Sequence, residues 1–151
     1  RLADTMARLK TMSTDPLVGL TAELRIGILQ YELAQLDDSR STLRRLLERT
    51  AEPYSRYFAH LIMGLGLDSE NRPAEAVREF AAAVAIDPLV VSGAMELSAH
   101  YFSSGRREEA SALLDTALSA APARADPWQH PCPNCAGWVQ RLDDRHARAR
   151  R

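Results

Sequence analysis

The chain reads as all-α, with about three helical hairpins and flanking helices at the ends. Three observations predict this. Ala, Leu, Arg and Glu, all strong helix formers, dominate the 151 residues, while aromatic residues, which favour strands, make up 6%. The Asp87-Pro88 and Ala121-Pro122 turns lie 34 residues apart, and the same residue classes recur ahead of each. Polar segments carrying Pro or Gly, Asp68-Ser69-Glu70-Asn71-Arg72-Pro73 and Ser103-Ser104-Gly105-Arg106, interrupt the apolar periodicity at matching places.

Taken in order, Leu2, Met6, Leu9 and Met12 form an apolar stripe on a terminal helix within 1–14, read as the second helix of a partial repeat. Asp15-Pro16 is an N-cap and first helical position for a helix running to about Leu36. Three repeat units fill 15–124, at about 23–56, 57–90 and 91–124. Ahead of Pro88 stand Ala76, Phe80 and Ala83; ahead of Pro122 stand Ala110, Leu114 and Ala117. The two alanines bracket the large residue on one helical face, so that helices cross closely and the large side chain fills the gap. In the first helices, Met63-Gly64 with Leu67 matches Leu97-Ser98 with Tyr101. A third copy one period earlier puts Leu29, Leu33, Leu46 and the Pro53-Tyr54 turn in the corresponding places, with Thr42 and Arg49 where the other units have alanine. Ala74-Glu75 and Glu108-Glu109 open second helices with carboxylates suited to a helix N-terminus. A Pro/Cys connector follows at 125–137, and Trp138, Val139 and Leu142 mark a capping helix with a basic tail at 138–151.

The large–small pair, the aromatic, the A-x3-F-x2-A face and the closing Pro resemble the tetratricopeptide repeat (TPR) pattern over about Glu23 to Arg124. The resemblance implies a TPR solenoid, a right-handed α-α superhelix whose first helices line a concave surface. Carried over by alignment, that surface includes Gly27, Ile28, Glu96 and Ala99, and it places Tyr31, Phe58, Leu61, Ile62, Leu65, Met95 and Phe102 as the partner-binding residues. The bland alternative is that Leu61, Ile62 and Leu65 are core between helices, whereas Tyr31, Phe58 and Phe102 are better suited as interface anchors. The chaperone-binding subclass clamps a C-terminal carboxylate with Lys, Arg and Asn, and none of these stands at the matching positions. The implied ligand is therefore an apolar peptide or amphipathic helix, and a second copy of the chain is a further expected occupant. The expected role is a scaffold or adaptor; an accessory domain of a larger enzyme is a second reading.

Composition narrows the classes further. With 19 Lys+Arg against 20 Asp+Glu the net charge is -1, which supplies no field for nucleic acid. No window approaches the roughly 18–20 uncharged apolar residues of a membrane span. Nucleophile-elbow, zinc-protease, phosphate-loop and dinucleotide motifs are missing, so no catalysis is expected. Lys10 is the single lysine, a bias typical of a high-GC bacterial genome, and a start at Arg1 reads as a fragment or processed chain. The compartment stays open between cytoplasm, periplasm and exterior.

The two cysteines, Cys132 and Cys135, form one C-x2-C pair. With His130 and His146 the segment reads H-x-C-x2-C-x10-H, offering a tetrahedral zinc its N/S ligands. It resembles half of the rubredoxin-like tail of some bacterial TPR proteins of envelope assembly, which carry two such pairs. A zinc-binding regulatory protein, two free thiols in a Pro-rich connector, and a closure formed on oxidation are all open at this point. A thioredoxin-like redox role lacks its strand-to-helix context.

Overall fold

Small residues opposite large ones decide how the helices of this chain pair. The computed structural model describes residues 1–120. The closing Ala121-Pro122 turn, the connector at 125–137, the capping helix at 138–151, and Cys132, Cys135, His130 and His146 lie outside the described residues. The described residues form seven α-helices and no strand: α1 Leu2–Met12, α2 Gly19–Glu32, α3 Leu36–Arg49, α4 Pro53–Ser69, α5 Pro73–Ile86, α6 Val91–Ser103 and α7 Arg107–Ala120. Two compact units divide them, one up to Ile86 with α1–α5 and one from Asp87 onward with α6 and α7.

In the first unit α2 pairs with α3 and α4 with α5, while α1 packs on α2, and α4 packs on both α2 and α3. Each pairing turns on a glycine. A Cβ added at Gly64 would stand 2.5 Å from Phe80 Cε1, and one at Gly27 would stand 2.4 Å from Leu43 Cδ2. Neither distance is compatible with an ordinary carbon contact, so only glycine lets the backbone of the first helix lie against that ring or isobutyl group. Phe80 and Leu43 are both fully buried, flanked by buried Ala76 and Ala83 in one hairpin and by buried Ser39 and Leu46 in the other. Ser39 fills its alanine-like place by donating its hydroxyl to the Gly27 carbonyl at 2.7 Å, which settles a buried polar group within the crossing. In the second unit Ala110, Leu114 and Ala117 are likewise buried where α7 packs on α6.

These pairs set a register that differs from the constant 34-residue spacing. Leu36 to Pro73, Arg49 to Ile86, Gly27 to Gly64 and Leu43 to Phe80 are all steps of 37, whereas α5 to α7 is a step of 34, from Pro73 to Arg107. The first hairpin is Gly19–Arg49, and its alanine-like positions are Ser39 and Leu46 rather than Thr42 and Arg49. The extra three residues fall between α3 and α4, where the link Thr50–Glu52 runs into a prolonged first turn of α4. Glu52 starts that turn by accepting from Tyr54 N at 2.8 Å and Ser55 N at 2.6 Å, with Pro53 at the first helical position. Glu52 is longer than the usual capping residues, yet its two oxygens satisfy two of the four orphan N–H groups.

The hairpin turns confirm the register. Each ends its first helix with the same three backbone bonds: Leu33 N to Leu29 O, Ala34 N to Tyr31 O and Gln35 N to Gln30 O; then Glu70 to Gly66, Asn71 to Asp68 and Arg72 to Leu67; then Ser104 to His100, Gly105 to Phe102 and Arg106 to Tyr101. The middle residue takes a positive φ in every case, 59° at Ala34, 59° at Asn71 and 83° at Gly105. Gly and Asn tolerate that region, but alanine does not. Ahead of α2, Asp15 caps only a single turn, accepting from Leu17 N at 2.7 Å and Val18 N at 3.3 Å. The helix expected from Asp15 therefore begins at Gly19.

Ala34 holds a left-handed conformation that costs an L-residue about 1–2 kcal/mol. Ala34→Gly is expected to raise stability by about 1 kcal/mol, less what glycine loses through the freedom of its unfolded chain. A urea denaturation midpoint that rises at constant slope checks this; an unchanged or lowered midpoint contradicts it.

Candidate functional site

Once the hairpins close, the first helices retain little free surface. In α4, Phe58, Leu61 and Ile62, expected to line an open groove, are buried at 4%, 0% and 1% exposure. Phe58 packs its ring against Tyr54 at 4.6 Å and edge-on to Tyr57 at 5.2 Å between centroids. Met95 is buried too, within a run of eight buried residues from Val91 to Ser98. Those four residues are core: α4 packs on α2, α3 and α5, and α6 packs on α7. Tyr31, Leu65 and Phe102 are half-buried. Tyr31 and Leu65 belong to the first unit and Phe102 to the second.

With the corrected register a pattern emerges that a 34-residue alignment hides. Ile28, Leu65 and Ala99 occupy one equivalent position of α2, α4 and α6, and Tyr31, Asp68 and Phe102 occupy another, three residues later. All six are half-buried. Positions i and i+3 share a helix face, so every first helix presents the same two-residue strip. In the first unit the strips of α2 and α4 meet near Gly66, where an added Cβ would stand 3.9 Å from both Tyr31 Cδ2 and Leu36 Cδ2. In the second unit Phe102 lies under the guanidinium of Arg107, 5.3 Å from the ring centroid, while Arg106 stacks on Tyr101 at 3.7 Å.

Charge gathers beside the first strip. Arg40 of α3, its side chain 9% exposed, donates from Nη1 to Glu70 Oε2 at 2.7 Å and from Nη2 to Glu70 Oε1 at 3.2 Å. Its Nη2 also donates to Asp37 Oδ1. Arg72 Nη1 reaches the same Glu70 oxygen at 3.3 Å and uses Nε and Nη2 on Glu75, each at 2.8 Å. The hydrogen bond from Arg40 holds the Glu70 carboxyl below the ordinary range, with Arg72 adding to it, and Glu70 in turn raises the Arg40 guanidinium. Burial opposes ionisation of Glu52, but its hydrogen bonds with Ser55 and Tyr54 outweigh this and lower its pKa. Elsewhere Glu23, buried in α2, accepts from Arg45 at 3.1 Å and Arg49 at 2.7 Å on α3. His60 Nδ1 lies 2.8 Å from Glu79 Oε2 between α4 and α5. These are helix-to-helix ties. Among the described residues no group of three or more His, Cys, Asp or Glu side chains is arranged to hold a metal ion, and no helix is long and apolar enough to cross a membrane.

Residues 69–129 match the family model described as tetratricopeptide repeat. Over that stretch the chain is a tetratricopeptide repeat. Among solved structures it is similar to the crystal structure of MamA, at 16% identity and a TM-score of 0.40 over 76% of this chain and 84% of that one. No curated protein matches the sequence. Tetratricopeptide repeats generally mediate protein–protein interaction and are typically non-catalytic. The all-α hairpins described above are this fold, with the ladder of Gly27–Leu43 and Gly64–Phe80 as its crossing contacts.

Because Glu70 binds protons less readily in the folded chain than in the unfolded one, its stabilisation is complete above the ordinary carboxylate range near about pH 4.3. It is lost as pH falls through the lower folded value. Glu70→Gln should therefore be less stable than the parent near neutrality, with the gap closing on acidification from about pH 7 to about pH 3. Urea midpoints across that range test this, and a gap constant with pH contradicts it.

Proposed function

We propose that this chain is a non-catalytic protein-binding scaffold whose ligand, an apolar peptide segment or the apolar face of an amphipathic helix, docks on the strips of α2 and α4 in the first unit. One observation supports the reading above others: the same two positions of α2, α4 and α6 stay half-exposed, and five of those six residues, Ile28, Tyr31, Leu65, Ala99 and Phe102, are aliphatic or aromatic, with Asp68 the sixth. A helix laid on the α2 and α4 strips of the first unit would meet them with its own i, i+3, i+4 and i+7 positions. Tyr31 is the anchor, since rigid aromatic side chains contribute most per residue at interfaces. Phe58, Leu61 and Ile62 serve this site by holding the helices in place.

Selection of displayed peptides against the whole chain tests the reading. Sequences with apolar residues at helical spacing are expected, and Tyr31→Ala or Leu65→Ala should weaken them about tenfold or more without lowering the unfolding midpoint. Leu61→Ala should instead cost about 2–5 kcal/mol of stability, as a core truncation does. Selected peptides that bind Tyr31→Ala and Leu65→Ala as tightly as the parent would sink the proposal.

The C-x2-C spacing of Cys132 and Cys135 favours a second reading, in which the chain also holds zinc through these thiolates, with His130 and His146 as the candidate remaining ligands. About one zinc per chain, with both thiols protected until a chelator is added and the metal lost in Cys132→Ser, is the expected result. Freely titrating thiols in metal-replete protein would retire it.

A further inference from the structure

The outward face of α2 is bracketed by opposite charges. Thr21, Arg25 and Glu32 are the exposed residues of this helix, and half-buried Ile28 lies between the last two. Spacings of four, three and four residues put all of them on one side, with Tyr31 at its edge. Exposed charges in other parts of the chain pair at a spacing of three, Arg72 with Glu75 and Arg106 with Glu109. Arg25 and Glu32 do not. Neither has an opposite charge three or four residues away on α2, and seven residues, about 10 Å along a helix, separate them. Neither makes an ion pair or side-chain hydrogen bond among the described residues. Glu32 also breaks a local rule. It is the last residue of α2, where the unpaired carbonyls make the helix end negative, and the last turn holds no basic residue. A carboxylate there is repelled by its own helix, with no compensating contact among the described residues. The hairpin register makes the pair particular to α2, because the α4 equivalents are Ile62, which is buried, and Ser69, which is uncharged.

We propose that Arg25 and Glu32 select the ligand: the docked segment is an amphipathic helix with a carboxylate for Arg25 and, seven residues on, an ammonium or guanidinium for Glu32, the apolar side chains between them resting on Ile28. This rests on the function proposed above and narrows it, from any apolar helix to one with an acid and a base two turns apart. The ligand's cation is attracted both by the Glu32 carboxylate and by the negative end of α2, so this contact is the stronger of the two. Acid before base is also the order that suits the ligand's own dipole, since each charge then lies toward the helix end of opposite sign. A ligand of that order meets Arg25 first and Glu32 second only if it runs parallel to α2.

Two synthetic helical peptides probe this on the full chain, one reading Glu-x2-Leu-Leu-x2-Lys at its centre and the other with Gln at both charged places. Fluorescence anisotropy should show the charged peptide binding about fivefold more tightly than the neutral one, with the difference lost at about 1 M salt. In Glu32→Lys that preference should disappear, and it should return for a peptide whose Lys is replaced by Glu, a restoration that a merely structural role of Glu32 would not produce. Equal binding of the charged and neutral peptides, still weakened by Tyr31→Ala, overturns the charge selection and leaves the apolar docking standing. Binding by neither peptide overturns both readings. The free protein gives a separate check: Glu32→Gln removes the repelled carboxylate and should raise the urea midpoint. A lowered midpoint would show that Glu32 has a partner inside the chain, and that result also overturns the proposal.

Discussion

The distance between two backbones inside a hairpin governs most of what this chain presents. Gly64 and Gly27 let α4 and α2 come so near α5 and α3 that a single added carbon would overlap Phe80 or Leu43. At that separation Phe80 is fully buried with alanines on either side. Phe58, Leu61 and Ile62 are core, and the half-exposed positions that recur in all three first helices are the two of the strip. A looser crossing would leave a wider and more apolar face. The close one yields a narrow strip of defined spacing, which is better suited to reading a side-chain pattern than to holding any greasy surface.

Electrostatics completes what the small–large contacts leave open. Within hairpins the polar pairs, Glu23 with Arg45 and Arg49, and His60 with Glu79, tie one helix to the other alongside apolar packing. Arg40 does something else, since its partner Glu70 belongs to the neighbouring hairpin. Exposed ion pairs contribute little, but a guanidinium with two carboxylate oxygens in a largely enclosed position is directional, and Arg40 has that geometry.

The second and third hairpins were legible in the amino-acid sequence because the Ala76–Phe80–Ala83 and Ala110–Leu114–Ala117 faces repeat at a constant interval and their turns hold Asn71 and Gly105, residues that announce a left-handed position. The first was legible as a hairpin but not in register. Pro53 invited a count back by 34, and the added turn at the start of α4 shifts the true step to 37. Gly27 with Ser39 and Leu43, set against Gly64 with Ala76 and Phe80, was the signal that would have given it. Ala34 offered none, because alanine in a strained turn carries no mark in the chain. The half-exposed strip was legible only in part for a related reason. α4 is apolar on nearly every side, so periodicity cannot separate Leu65, half-exposed, from Leu61, fully buried. Arg40 and Glu70 are thirty residues apart in two helical segments rich in charge, and only the folded chain pairs them.

The account rests on the claim that Gly64 and Phe80 form one unit, the glycine present because of the ring. A double-mutant cycle of Gly64→Ala and Phe80→Leu measures that directly, using unfolding free energies of the two single variants and the pair. The account predicts strong coupling, with the smaller leucine relieving the added methyl so that the double variant is more stable than the sum of the singles implies by about 1 kcal/mol or more. Additive losses, agreeing within about 0.3–0.5 kcal/mol, would mean that the methyl and the ring do not compete for the same space, and the close crossing would not be what sets the face of the first helices.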